Sequence, residues 1–138
     1  KVCTLAKDRG AKRGVLLPVS APFHSPLLVG AGVKLEKELD KIEIKEPRIP
    51  VVSNVYGKPE NDPEKIMRNL VLQVSNSVRW EESVLYMLSQ GTDTFIELGP
   101  GKALNGFLKR IPGEMKGYNV EDMSSLETTL KGLREGEI

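Results

Sequence analysis

The stretch Thr94-Phe-Ile-Glu-Leu-Gly-Pro-Gly-Lys102 decides the fold class. Thr94 to Leu98 is short and rich in β-branched and aromatic side chains, which suits a strand. Gly99-Pro-Gly101 stops it in a tight turn, and Lys102 to Arg110 then reads as a short helix. The same alternation extends outward in both directions. Downstream, Tyr118 to Val120 is a last strand, and Ser124-Ser-Leu-Glu127 has the capping-box spacing that starts a final helix. Upstream, Trp80 to Gln90 is a helix ended by Gly91. Before it, Asp62-Pro63-Glu64 combines an N-cap, a proline at the first helical position and an acid in the first turn, announcing a helix to about Val74.

The segment Ile49-Pro-Val-Val-Ser-Asn-Val55 is dominated by β-branched residues and runs into Tyr56-Gly-Lys-Pro59, a turn signal, so it reads as a strand with Pro50 near its start. From Ser25 to Ile42 the apolar positions Leu27, Leu28, Val33, Leu35, Leu39 and Ile42 make one face of an amphipathic helix. Lys34, Glu36, Lys37, Glu38 and Lys41 make its wet face, and Lys45, Glu46 and Arg48 beyond it are solvated loop. Val15-Leu-Leu-Pro-Val19 reads as a short strand. Val2 to Gly10 reads as the last turns of a helix closed by glycine. With no initiator methionine, that opening leads us to expect a fragment of a longer protein. Strands alternating with helices predict an α/β fold with a mainly parallel sheet.

Composition narrows the function classes. A chain of 138 residues, 39% apolar and 28% charged, has the makings of one soluble globular domain. Twenty basic against 19 acidic residues leave a net charge of +1, with no electrostatic footprint for nucleic acid. No apolar stretch approaches membrane-spanning length and no secretion signal is visible, so a cytoplasmic location is expected. Cys3 is the single cysteine and His24 the single histidine, which leaves no disulfide within the chain and no zinc ligand set; no structural metal is expected.

His24 is the candidate for chemistry. Pro22 and Pro26 forbid helix continuity on either side of it, placing it where the strand over 15–19 gives way to a turn and then a helix. Such junctions position a group rigidly while exposing it. A lone imidazole in ordinary sequence is most often a surface or satisfied buried side chain, and its location is what recommends it. The Gly99-Pro-Gly-Lys102 turn fails as a phosphate loop, because Ile96 and Ala103 stand where glycine and Ser or Thr are needed. It fails as a dinucleotide fingerprint because Leu104 replaces the last glycine. A tight structural turn and an anion-binding helix N-terminus remain as its two readings.

Four motifs in order carry a resemblance. Leu17-Pro-Val-Ser-Ala-Pro-Phe-His-Ser-Pro-Leu-Leu28, Ile49-Pro-Val-Val-Ser-Asn54, Gln73-Val-Ser-Asn-Ser-Val-Arg-Trp80 and Glu97-Leu-Gly-Pro-Gly-Lys102 resemble the C-terminal part of malonyl-CoA:acyl-carrier-protein transacylases. The likeness runs from about Ala11 to Arg110 and continues less specifically through residues 120–133. It implies an α/β-hydrolase-like acyltransferase domain, with residues 1–20 as the end of a small ferredoxin-like subdomain and 21–138 as the C-terminal part of the large subdomain. It also implies S-malonyl transfer for fatty acid biosynthesis by a ping-pong route through a Ser-His pair, without a bound cofactor. Malonyl-CoA and the phosphopantetheine arm of acyl carrier protein are the implied substrates.

In such an enzyme His24 matches the histidine that takes the proton of a serine nucleophile and later returns it to the leaving thiol. Gln73 matches the position whose backbone carbonyl orients that histidine, and Asn76 in the same loop is a weaker structural candidate. Phe23 matches the bulky residue that goes with malonyl over methyl-branched acyl groups; packing at the junction is its plainer reading. Lys102, Lys109 and Arg110 are either part of a carrier-docking surface or a solvated helix face. The departures are as informative. No Gly-x-Ser-x-Gly frame occurs, and the carboxylate-binding arginine and the N-terminal glutamine loop of the family have no counterpart here. The chain alone is therefore expected to be inactive, the missing groups coming from a preceding segment. Two rival readings are a nonenzymatic α/β binding module and an acyltransferase domain of a polyketide synthase.

Overall fold

The computed structural model describes residues 1–16 and 19–135. α1 (Val2–Asp8) ends as its sequence predicts: Gly10 takes φ 88° and donates its amide to the Lys7 carbonyl (2.9 Å), while Ala11 reaches back to Ala6 (2.9 Å). This paired closure satisfies carbonyls that the helix leaves orphaned. The strand expected over 15–19 is not formed at Val15, Leu16 or Val19, and Leu17 and Pro18 lie outside the described residues. A strand exists only where a neighbour takes its amides, and no strand pairing involves Val15, Leu16 or Val19.

The helix expected over 25–42 is shorter and in two parts. A single 3₁₀ turn, Pro26–Leu28, leads into α2 (Val29–Leu39), and Ile42 falls in the turn beyond. β1 (Val51–Ser53) and β2 (Lys58–Glu60) form an antiparallel hairpin, with Val51 opposite Glu60 and Ser53 opposite Lys58. The reversal therefore sits at 54–57, where Gly57 has φ 63°, and Lys58 and Pro59 belong to a strand instead of the turn. Proline is tolerated there because a strand with one partner has an amide edge to spare.

α3 (Pro63–Gln73) starts as expected: Asp62 Oδ1 accepts the Glu64 amide at 3.0 Å. α4 (Trp80–Ser89) closes on Gly91 at φ 86°, with Gly91 and Thr92 donating to Leu88 and Met87. β3 (Thr94–Leu98) and β4 (Lys116–Val120) pair in parallel, from Thr94 opposite Lys116 to Leu98 opposite Val120. α5 (Ala103–Leu108) lies in the crossover between them, as a parallel pair requires. α6 (Met123–Glu135) starts earlier than Ser124 and Glu127 suggest. Asp122 Oδ1 accepts the Ser125 amide at 2.8 Å, and Ser125 Oγ accepts the amides of Glu121 and Asp122. The reciprocal cap is thus built on 122 and 125, with serine in the role usually given to glutamate.

The class is mixed α/β, but a mainly parallel sheet is not what forms: the described strands make one parallel and one antiparallel pair. Val84, Leu108 and Ile111 are buried at the centre, with Trp80, Met87, Leu88, Phe95 and Met115 packed around them. Outside that cluster much apolar surface faces solvent, including Leu98 at 77% exposure. The accessible surface is 11014 Å², whereas a compact protein of 15.2 kDa exposes roughly 7,100 Å².

α2 lies against α3 through Gly32, which is buried. A Cβ there would come within 3.3 Å of the Val71 carbonyl oxygen and 3.7 Å of its side chain. This approach sets the start of α2, and the loop before it, beside the C-terminal end of α3. Replacing Gly32 by leucine is expected to destabilise the fold by about 1–3 kcal/mol through overpacking. Gly32→Ala is expected to be near neutral, the gain of about 1 kcal/mol in helix propensity offsetting the tight contact. Denaturant unfolding of the two variants side by side measures the difference.

Candidate active site

Helix α3 leaves its last carbonyls without intrahelical partners, and the loop that follows fills some of them. The Leu72 carbonyl accepts the Asn76 amide (3.1 Å) and the Asn76 side-chain amide (2.7 Å), and Val71 accepts Val74. The Gln73 carbonyl is taken by His24 Nδ1, at 2.9 Å. A carbonyl only accepts, so the proton of the neutral ring is on Nδ1 and Nε2 is left as a free base. His24 is exposed, and the structure thus brings together two residues 49 positions apart in the chain.

Among described residues other than glycine, His24 alone has a positive φ, 57°. That conformation costs an L-residue of order 1–3 kcal/mol, and outliers of this kind cluster where a side chain must be aimed. Phe23 beside it is 58% exposed, so it is not buried in the packing of this chain. Ser25, which sequence reasoning passed over, donates Oγ–H to the Pro22 carbonyl at 2.8 Å across the same turn. Its signal was faint: a serine between a histidine and a proline.

The side chain of Gln73 points elsewhere. It lines a mostly apolar cavity of about 180 Å³ between the β1–β2 hairpin and α3, with Val51, Val52, Ser53, Asn69 and Leu70. Gln73 Nε2 and Ser53 Oγ are buried without partners, as are Trp80 Nε1, Asn105 Oδ1 and Asn119 Nδ2. Buried polar atoms ordinarily find a partner in protein or in ordered water. Asn76, by contrast, is fully explained as the cap of α3.

The Gly99-Pro-Gly101 turn settles between its two readings. Glu97 accepts the amides of Leu104 (3.1 Å) and Asn105 (2.9 Å) and the Asn105 side chain (3.2 Å), and Glu121 accepts the Gly101 amide (2.8 Å). The chain's own carboxylates therefore occupy the start of α5, and the turn is structural. The Asn105 amide foremost, then those of Leu104 and Ala103 and the Asn105 side chain, hold Glu97 below its ordinary value of 4.5 against an opposing push from desolvation. Asn105 also donates to the Tyr118 carbonyl at 2.7 Å, tying α5 to β4. Lys102 immediately precedes α5, Lys109 and Arg110 follow it, and all three are exposed. Two open grooves of about 400 Å³ each adjoin Lys102 and Asn119, away from His24. Among the described residues no helix is long and apolar enough to cross a membrane, and no cluster of three or more His, Cys, Asp or Glu side chains is placed to hold a metal.

No protein-family model matches the chain. Curated relatives do. It is 40% identical over 131 residues, 95% of its length, to the malonyl CoA-acyl carrier protein transacylase of Bacillus subtilis, and 42% identical over 125 residues to that of Escherichia coli K12. The crystal structure of the malonyl CoA-acyl carrier protein transacylase from Clostridium perfringens superposes with a TM-score of 0.87 at 45% identity, over 98% of this chain and 42% of that one. The resemblance drawn from four motifs is thus a homology across nearly the whole chain. The chain spans about two fifths of the length of these relatives.

Glu97→Gln is expected to lower the melting temperature at pH 7. The Glu97 carboxylate is favoured in the fold, so its contribution is complete above its unfolded value near 4.5 and is lost as pH falls through the lower folded value. Melting curves from pH 7 to pH 3 should show the gap between wild type and variant closing below about 4.5.

Proposed function

We propose that this chain carries the acid–base half of a malonyl-CoA:acyl-carrier-protein S-malonyltransferase of fatty acid biosynthesis. One observation carries the reading: an exposed histidine held in a left-handed turn, its Nδ1 hydrogen fastened to a helix-terminal carbonyl and its Nε2 free. The homology supports the same assignment.

In this reading a serine hydroxyl from a segment outside the chain attacks the malonyl thioester while His24 Nε2 takes its proton. His24 then returns that proton to the departing coenzyme A thiolate, leaving malonyl-serine. In the second half the phosphopantetheine thiol of acyl carrier protein gives its proton to His24 and attacks the ester, and the proton goes back to the serine oxygen. The Gln73 carbonyl keeps the ring in register, doing through the main chain what a carboxylate does in many serine hydrolases. Phe23, next to the imidazole, fills the space where an α-methyl group would enter. Such a contact discriminates by roughly 1–3 kcal/mol.

The excess accessible surface supports a preceding segment of the same protein that covers this one and supplies the serine and the carboxylate-binding arginine. Residues 1–20 would belong to the small ferredoxin-like subdomain and 21–138 to the α/β-hydrolase-like large one. Lys102, Lys109 and Arg110 form an exposed basic edge suited to an acidic carrier. The location is cytoplasmic. A polyketide carrier is a second reading, favoured by 41% identity to a malonyl-transacylase solved with a type II PKS acyl-carrier protein.

The test is malonyl transfer from coenzyme A to carrier protein by the complete gene product. His24→Ala is expected to cut turnover by roughly 10²–10⁴-fold, the contribution of a positioned acid-base. Wild-type turnover in that variant sinks the assignment.

A further inference from the structure

We propose that Ser25 is a positioning residue for His24, its hydroxyl locking the turn that aims the imidazole. Ser25 is extended (φ −131°, ψ 160°) immediately before the 3₁₀ turn Pro26–Leu28. A serine so placed ordinarily turns its oxygen forward to accept an amide of the helix it precedes. Here it makes no such cap. It reaches backward and donates to the Pro22 carbonyl at 2.8 Å, closing a turn whose interior residues are Phe23 and His24.

That closure has a consequence for the ring. His24 sits at φ 57°, a conformation that an L-residue leaves when nothing holds it there. The hydroxyl holds one end of the turn and the Gln73 carbonyl, at 2.9 Å from Nδ1, holds the side chain at the other. Without the hydroxyl, nothing within the turn opposes relaxation to negative φ, which swings the imidazole off the carbonyl.

The inference rests on His24 being the proton carrier, so the experiment has an arm that does not depend on turnover. In the complete gene product labelled with ¹⁵N-histidine, the Nδ1–H signal of His24 is assigned by its loss in His24→Ala and followed in Ser25→Ala and Ser25→Thr. Ser25→Ala is expected to lose or broaden that signal and to lower kcat by about 10- to 100-fold, the scale of a small misplacement of a reacting group, with KM for malonyl-CoA changed little. Ser25→Thr keeps the hydroxyl and an extended backbone and is expected to restore both. An unchanged signal in Ser25→Ala overturns the proposal, whatever kcat does, and so does equal loss in the alanine and threonine variants. Absence of transfer in the wild type would refute the enzymatic reading while leaving the signal to decide the role of Ser25.

Discussion

The site depends on where one helix stops. Because α3 ends at Gln73, its final carbonyls lack the amides of a following turn, and the loop to Trp80 claims Val71 and Leu72 for itself. The Gln73 oxygen is what remains for the imidazole. A carbonyl at a helix C-terminus is a fixed acceptor, so it selects a tautomer without being able to take the proton itself. Such an orienter needs no ionisable group.

The far side of that hydrogen bond is held by packing. Gly32 lets α2 approach Val71 closely enough that the start of α2 is set against the end of α3. The turn carrying His24 is joined to α2 through only Pro26–Leu28, so the position of the helix is passed on to the ring. Two short connections and one glycine thus link the placement of a single imidazole to a helix–helix contact.

At the other end of the chain the chemistry is inward-looking. The start of α5 is satisfied by Glu97 and Glu121, and Asn105 ties it to both strands of the parallel pair. This corner is self-contained electrostatically, while the faces of β3 and α5 that carry Leu98 and Phe107 stay open to solvent. Parallel strands are normally buried on both faces. Satisfied turns beside uncovered apolar faces are what a portion of a larger α/β domain would present.

Local signals in the sequence were enough for three helix boundaries that use side-chain or glycine caps, whereas the cap of α6 forms at Asp122 and not at Ser124. Asp62-Pro63, Gly10 and Gly91 each work within a few residues, and the structure uses each as read. The strand at 94–98 and the candidate histidine were legible for the same reason, and the motif order extended the reading to Gln73. Strand pairing was not legible. Lys58 and Pro59 join a hairpin, and Val15, Leu16 and Val19 form no strand, because a strand is defined by a neighbour that sequence does not display. Likewise the left-handed backbone of His24, the backward bond of Ser25 and the self-capped glycine turn depend on which donor meets which acceptor in space. Sequence determined the capped helix ends and the chemical groups on offer; tertiary structure decided which strands paired and which hydrogen-bonding groups were left over, and the site is built from those.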